Sequence, residues 1–183
     1  MKCKWFILVL LLQSTWILGT VFTQECALRV GQVIQLETQP VDPRDLLRGD
    51  YVRLSYKISD IPRERFFSPA LAGELSSGTT VFVALVPCGT NQFYQVARAS
   101  TGRFTPASNE VLVRGKAAAS WQNNGGSIHV EYGIEQYFVA EGTGHPHGRL
   151  TVQAVVTKSG RASLKDVFVD GKPYVEAVKA DNP

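Results

Sequence analysis

Residues 150–171 read Leu150-Thr151-Val152-Gln153-Ala154-Val155-Val156-Thr157-Lys158-Ser159-Gly160-Arg161-Ala162-Ser163-Leu164-Lys165-Asp166-Val167-Phe168-Val169-Asp170-Gly171. Two runs rich in Val, Leu and Thr flank Lys158-Ser159-Gly160-Arg161, a hairpin turn, and Asp170-Gly171 supplies a second turn signal. The same grammar extends outward along the chain. Val33 to Thr38 alternates apolar and polar residues. In the next run Val52, Leu54, Tyr56 and Ile58 point one way while Arg53, Ser55 and Lys57 point the other. Thr79 to Val86 is a continuous apolar run and predicts a central strand. Phe93 to Ala99, Val111 to Ala119 and Ile128 to Ile134 predict further strands, with Gly133 as a bulge. Helix is scarce in this part of the chain. Arg63 to Leu75 predicts one short helix, broken near Pro69. Gly, Pro and Asn punctuate the chain at roughly 8–15-residue intervals, the spacing of an all-β sandwich or barrel.

The N-terminus is different. No charge occurs from Trp5 to Gln24. Such a run makes a helix of about 30 Å, the thickness of a bilayer's hydrocarbon core. Trp5 and Phe22 stand near its two ends, where aromatic rings favour the membrane interface. Gln13, Ser14 and Thr15 form an uncharged notch that Ser and Thr can satisfy on their own helix backbone. No small-residue A-x-A site follows, so the segment reads as an uncleaved anchor rather than a cleaved signal peptide. Lys2 and Lys4 place the N-terminus in the cytoplasm and the rest outside, periplasmic or extracellular. The predicted organisation is a transmembrane signal anchor over residues 1–27 and one domain over residues 28–183. Its fold class is all-β or mostly β, sandwich-like or barrel-like.

Charge and cysteines narrow the function. The 183-residue chain carries a net charge of +3, and setting aside Lys2 and Lys4 leaves +1. A nearly neutral domain lacks the basic footprint of a nucleic-acid binder. No Gly-rich phosphate loop runs from a strand into a helix, so no nucleotide or other cofactor is expected. Cys3, Cys26 and Cys88 are too few for a disulfide scaffold. Cys26 and Cys88 would share the outer compartment, where they could pair or remain two separate thiols.

The densest chemistry lies between Pro40 and Tyr56. Asp42, Asp45 and Asp50 interleave with Arg44, Arg48 and Arg53. Opposite charges at this density brace a turn through charge-assisted hydrogen bonds, and the same groups could meet a partner. Gly49 permits a positive φ where the chain swings into the strand. Gly49-Asp50-Tyr51-x-x-Leu54-x-Tyr56 resembles the signature of the GDYxxLxY protein family. Arg114-Gly115, the block Tyr132-Gly133-Ile134-Glu135-Gln136-Tyr137-Phe138-Val139 and Glu141-Gly142 are similar to its later blocks, with Ala140 where a proline is expected. The resemblance implies a bacterial membrane-associated protein of unknown function, often encoded beside a multi-span membrane protein. That implied neighbour and the membrane itself, crossed once, are the expected partners.

Two catalytic readings compete with this. Leu46-Leu47-Arg48-Gly49-Asp50-Tyr51-Val52 is similar to a strand of the Ser–Lys signal peptidases. No serine precedes it at the nucleophile's place, and a lysine base would have no hydroxyl to activate. His145-Pro146-His147 could offer two imidazoles to a metal, but no clear fourth ligand accompanies them. An envelope hydrolase built on such a metal site or peptidase-like fold is the alternative. The expected role is a non-catalytic accessory or interaction domain. Its candidate surfaces are Asp42, Arg44, Asp45, Arg48, Gly49, Asp50, Tyr51, Leu54 and Tyr56, and the block with Tyr132, Glu135, Tyr137 and Glu141. Within that block the rings of Tyr132, Tyr137 and Phe138 read as core rather than as a stacking platform.

Overall fold

The structure, a computed structural model of the chain, describes residues 2–39, 51–67, 75–89, 93–118, 126–139 and 148–181. Helix α1 spans Lys2–Val30. Its stretch Trp5–Phe22 is long and apolar enough to cross a membrane, and none of it is buried against the rest of the protein. Within the helix Thr15 Oγ1 donates to Leu11 O and Thr20 Oγ1 to Ile17 O, both at 2.8 Å. Those bonds satisfy the two hydroxyls within the helix itself. Towards its C-terminus Glu25 and Arg29 pair at 3.0 Å. The helix continues past residue 27 to Val30, and Gly31 alone separates it from the first strand.

The strands are Gln32–Gln39 (β1), Tyr51–Arg53 (β2), Ser55–Tyr56 (β3), Asp60–Pro62 (β4), Thr80–Cys88 (β5), Phe93–Ser100 (β6), Val111–Ala117 (β7), Ser127–Glu131 (β8), Gln136–Phe138 (β9), Leu150–Val156 (β10), Ala162–Val169 (β11) and Lys172–Pro173 (β12), followed by helix α2 at Tyr174–Asp181. One large sheet runs β12-β11-β10-β1-β6-β5-β7-β8-β4, while β2 and β9 form a separate two-stranded ribbon. The β1–β6 pairing is parallel and the other strand pairings are antiparallel. β5 lies between β6 and β7, which explains its unbroken apolar run: Val81, Val83, Ala84 and Leu85 are all fully buried.

Two links bend this sheet into a barrel-like closure. The strap from Ser55 to Pro62 pairs with β1 at one end, Thr38 opposite Tyr56, and with β8 at the other, Ile61 opposite Ile128. Val130 N–H donates to Ser59 O at 2.8 Å in the middle of that strap. The β10–β11 turn makes the second link, because Arg114 N–H donates to Gly160 O at 2.7 Å. Gly160 sits at φ +86°, and a Cβ there would come within 3.3 Å of Arg114 N and Leu112 O. A side chain at that position would strain the backbone and crowd β7 by a few tenths of an ångström.

The interior is filled by Ile34, Leu36, Tyr56, Ile61, Val81, Val83, Leu85, Val113, Val130 and Val152. Each aliphatic side chain of this kind contributes about 1.5–3 kcal/mol on leaving water. Alternation along β1 puts Ile34 and Leu36 inside and leaves Gln35 exposed. The hairpin expected at residues 158–161 is present, with Val156 opposite Ala162. Asp170 and Gly171 take φ of 48° and 82°, the pair of positive values that a tight turn between twisted strands needs.

Four local expectations change. The run Val52 to Ile58 is two short strands, because Leu54 leaves the ladder and donates its N–H to Glu135 O at 2.7 Å. The strand predicted over Ile128 to Ile134 stops at Glu131, and Gly133, at φ +82°, belongs to a turn rather than a bulge. Of the short helix expected from Arg63, the described residues show a single 3-10 turn at Arg63–Arg65. α2 is an additional helix whose Tyr174, Ala177 and Val178 are buried. Cys88 is a free, exposed thiol at the end of β5.

Candidate functional site

Two of the sequence blocks named above meet in the β2–β9 ribbon. Tyr51 lies opposite Phe138, Val52 opposite Tyr137 and Arg53 opposite Gln136. Asp42, Arg44, Asp45, Arg48, Gly49, Asp50, Glu141, His145 and His147 lie outside the described residues. The site is therefore built from Tyr51, Leu54, Tyr56, Tyr132, Glu135 and Tyr137.

A reciprocal pair of tyrosines holds the ribbon to the barrel. Tyr56 is fully buried, and its Oη donates to Ile134 O at 2.5 Å. Tyr132 is likewise buried, and its Oη donates to Ile58 O at 2.7 Å. Each block thus supplies a hydroxyl that satisfies a buried carbonyl of the other. Burial pushes both phenols well above the usual tyrosine range, and the Glu135 carboxylate raises them further. They remain protonated donors, which is what two buried carbonyls require.

Glu135 organises the turn between β8 and β9. Its carboxylate accepts Tyr132 N–H at 2.5 Å and Gly133 N–H at 2.9 Å. Those two amides point the same way because Gly133 takes a positive φ. The backbone carbonyl of Glu135 accepts Leu54 N–H, so one residue ties the turn to the signature strand. Gly115 belongs to the same assembly. A Cβ at Gly115 would stand 2.8 Å from Glu131 O and 3.2 Å from Tyr132 Cδ1. The absence of a side chain there lets β8 and the Tyr132 ring close onto β7. Strand periodicity offers no reason for an Arg-Gly pair in mid-strand; this steric fit is the reason.

Leu54, Tyr56 and Tyr132 are consumed in this clasp. Tyr137 is half-buried and meets the ring of Tyr174 edge-on, with centroids 5.3 Å apart and an interplanar angle of 72°. α2 therefore backs the ribbon, a role for Tyr174 that its place in a short C-terminal segment did not signal. The other side of the ribbon carries Arg53, Gln136 and Phe138. Arg53 and Gln136 are exposed, and Phe138 is 74% exposed, which corrects the expectation that Phe138 is core. Strand alternation accounts for it, since Tyr137 faces in and its neighbours face out.

Other features lie apart from the clasp. His129 Nδ1 lies 2.8 Å from Asp60 Oδ1 across the β4–β8 pair. A shallow cleft of about 370 Å³ on the outer sheet face is lined by Gln35, Phe93, Thr151, Gln153 and Phe168, none of which belongs to the signature blocks. Among the described residues no group of three His, Cys, Asp or Glu side chains could hold a metal ion.

No curated protein and no solved structure matches the chain. The family model described as GDYXXLXY protein matches residues 13–167, across both the signature strand and the block that clasps it. The chain belongs to the GDYXXLXY protein family.

Proposed function

We propose that this chain is a single-span membrane protein whose β domain serves as a non-catalytic accessory module, docking another membrane protein outside the cytoplasm through the outer face of the β2–β9 ribbon. The observation that carries this reading is the division of labour within the ribbon. Its inner groups hold it rigidly to the barrel, while Phe138 is 74% exposed beside Arg53 and Gln136. Large aromatic and arginine side chains on a fixed frame are the residues that concentrate at protein interfaces.

The anchor decides what the module can reach. Gly31 is the whole connection between α1 and β1, so the domain stays beside the bilayer. α1 enters β1 at Gln32, and the strap beside the ribbon pairs with Thr38 and Gln39 at the other end. β1 separates them by about 23 Å at a strand rise of ~3.3 Å per residue. A membrane protein with an extramembranous loop or domain of that height is the partner that fits. Lys2 and Lys4 support an N-terminus held in the cytoplasm.

Copurification of full-length protein from native membranes tests the reading, with Phe138→Asp as the comparison. The expected result is one membrane protein recovered with the parent chain and lost with the variant, at unchanged melting temperature. Recovery of the same protein with both chains, or of none with either, would refute it.

A further inference from the structure

The end of the domain where α1 enters gathers several exposed cations. Gln32 pairs with Val156, so the turn Thr157–Arg161 lies directly beside the helix exit. Lys158 and Arg161 are exposed on that turn. Arg103 reaches it from the β6–β7 loop, donating from Nη2 to Lys158 O at 3.1 Å. Arg114 is joined to it through its N–H bond to Gly160 O, and its side chain is exposed. None of these four has a carboxylate partner among the described residues. The nearby acids are engaged elsewhere, Glu25 with Arg29 at 3.0 Å and Glu110 with Arg98 at 2.7 Å. At the far end of β1 the two cations Lys57 and Arg149 are both paired, to the single Glu37 carboxylate.

We infer that Arg103, Arg114, Lys158 and Arg161 form a basic collar that rests on the anionic lipid headgroups around α1 and fixes the tilt of the domain on the membrane. The inference depends on the reading of α1 as a membrane anchor. Length supports it. From Gln24, the last residue of the uncharged run, to Val30 the helix rises about 9 Å. The headgroup layer of one leaflet is roughly 5–8 Å thick. The turn therefore lies at the outer edge of that layer, within reach of extended Lys and Arg side chains. Each such cation near an anionic surface multiplies the docked population about fivefold, so losing two lowers it about 25-fold. With the domain nearly neutral overall, the collar gives it one preferred face towards the bilayer.

The test uses the full chain in nanodiscs of phosphatidylglycerol or of phosphatidylcholine, each doped with a gadolinium-chelating lipid. Relaxation enhancement is read at residues 158–161 and, as a distal reference, at residues 170–172. The expected result is an enhancement at the turn severalfold larger in phosphatidylglycerol. It should be lost in a Lys158→Glu/Arg161→Glu variant and in about 1 M salt, where screening acts within ~3 Å. Equal enhancement in both lipids would overturn the collar, as would inorganic phosphate producing the same resonance shifts in phosphatidylcholine. Should the variant fail to fold, the salt series on the parent chain decides. Vesicle flotation after carbonate washing separates the two readings. A chain that floats in both lipids keeps its anchor, and the relaxation and salt series then decide the collar; a chain that floats in neither lipid loses both.

Discussion

Removing one hydroxyl from the clasp is the sharpest perturbation available. Tyr56→Phe leaves the ring in place and takes away the donor to Ile134 O. That carbonyl then stays buried without a partner, at a cost of about 1–3 kcal/mol. With ~1.5 kcal/mol as the working value, a chain of this length loses about 3–6 °C of melting temperature. Tyr132→Phe, which strips the donor from Ile58 O, should behave alike. The informative quantity is their coupling. Both hydroxyls bind the same pair of segments, so breaking one loosens the frame that gives the other its value. The double variant should lose less than the sum of the singles, by about 0.5–1 kcal/mol. Thermal unfolding of the full chain in detergent, followed by the circular dichroism of the sheet, gives all four corners of the cycle. Strict additivity, or a Tyr56→Phe chain as stable as its parent, would show that the two blocks are not clasped as described.

Three further outcomes follow from the same geometry. Gly115→Ala should destabilise by about 1–3 kcal/mol, because its methyl would meet the Glu131 carbonyl; a melting temperature within 1 °C of the parent, roughly 0.3 kcal/mol, would contradict this. Stability should fall at alkaline pH. The unfolded tyrosines ionise near the ordinary 10.0, while folded Tyr56 and Tyr132 hold their protons, so their contribution is intact below that value and lost above it. The slope is up to about 1.4 kcal/mol per pH unit for each tyrosine, and the Phe variants should flatten it in pH-dependent urea titrations. Glu110 acts at the acid end. The Ala107 N–H, and then Arg98, hold its carboxyl below the ordinary 4.5, so its contribution is present above that value and lost as the pH drops below it. Glu110→Gln should remove that part of the acid limb.

The strands were largely legible because this sheet obeys period-two burial: β1, β5, β10 and β11 fall where alternation or unbroken apolar runs put them. The breaks were not legible. Leu54 and Gly133 sit inside plausible strands and interrupt them: Leu54 N–H and the Tyr56 and Tyr132 hydroxyls bond to carbonyls far away in sequence across the clasp, and Gly133 N–H turns to the Glu135 carboxylate. α2 escaped notice because eight residues with three buried positions give only a faint helical period. The same long-range bonds explain the signature. Its tyrosines look like candidate contacts in the sequence, yet Tyr56 and Tyr132 are spent holding two blocks together. Phe138, which reads as core, is one of the ribbon's exposed residues because it is the outward step of β9.

Photocrosslinking from the ribbon tests the central claim most directly. A photoreactive phenylalanine placed at Phe138 in the full-length protein is compared, in native membranes, with the same group at Lys165, exposed on β11. The account predicts a discrete adduct with one membrane protein from position 138 and none from position 165. No adduct from 138, or the same adduct from both positions, would contradict it.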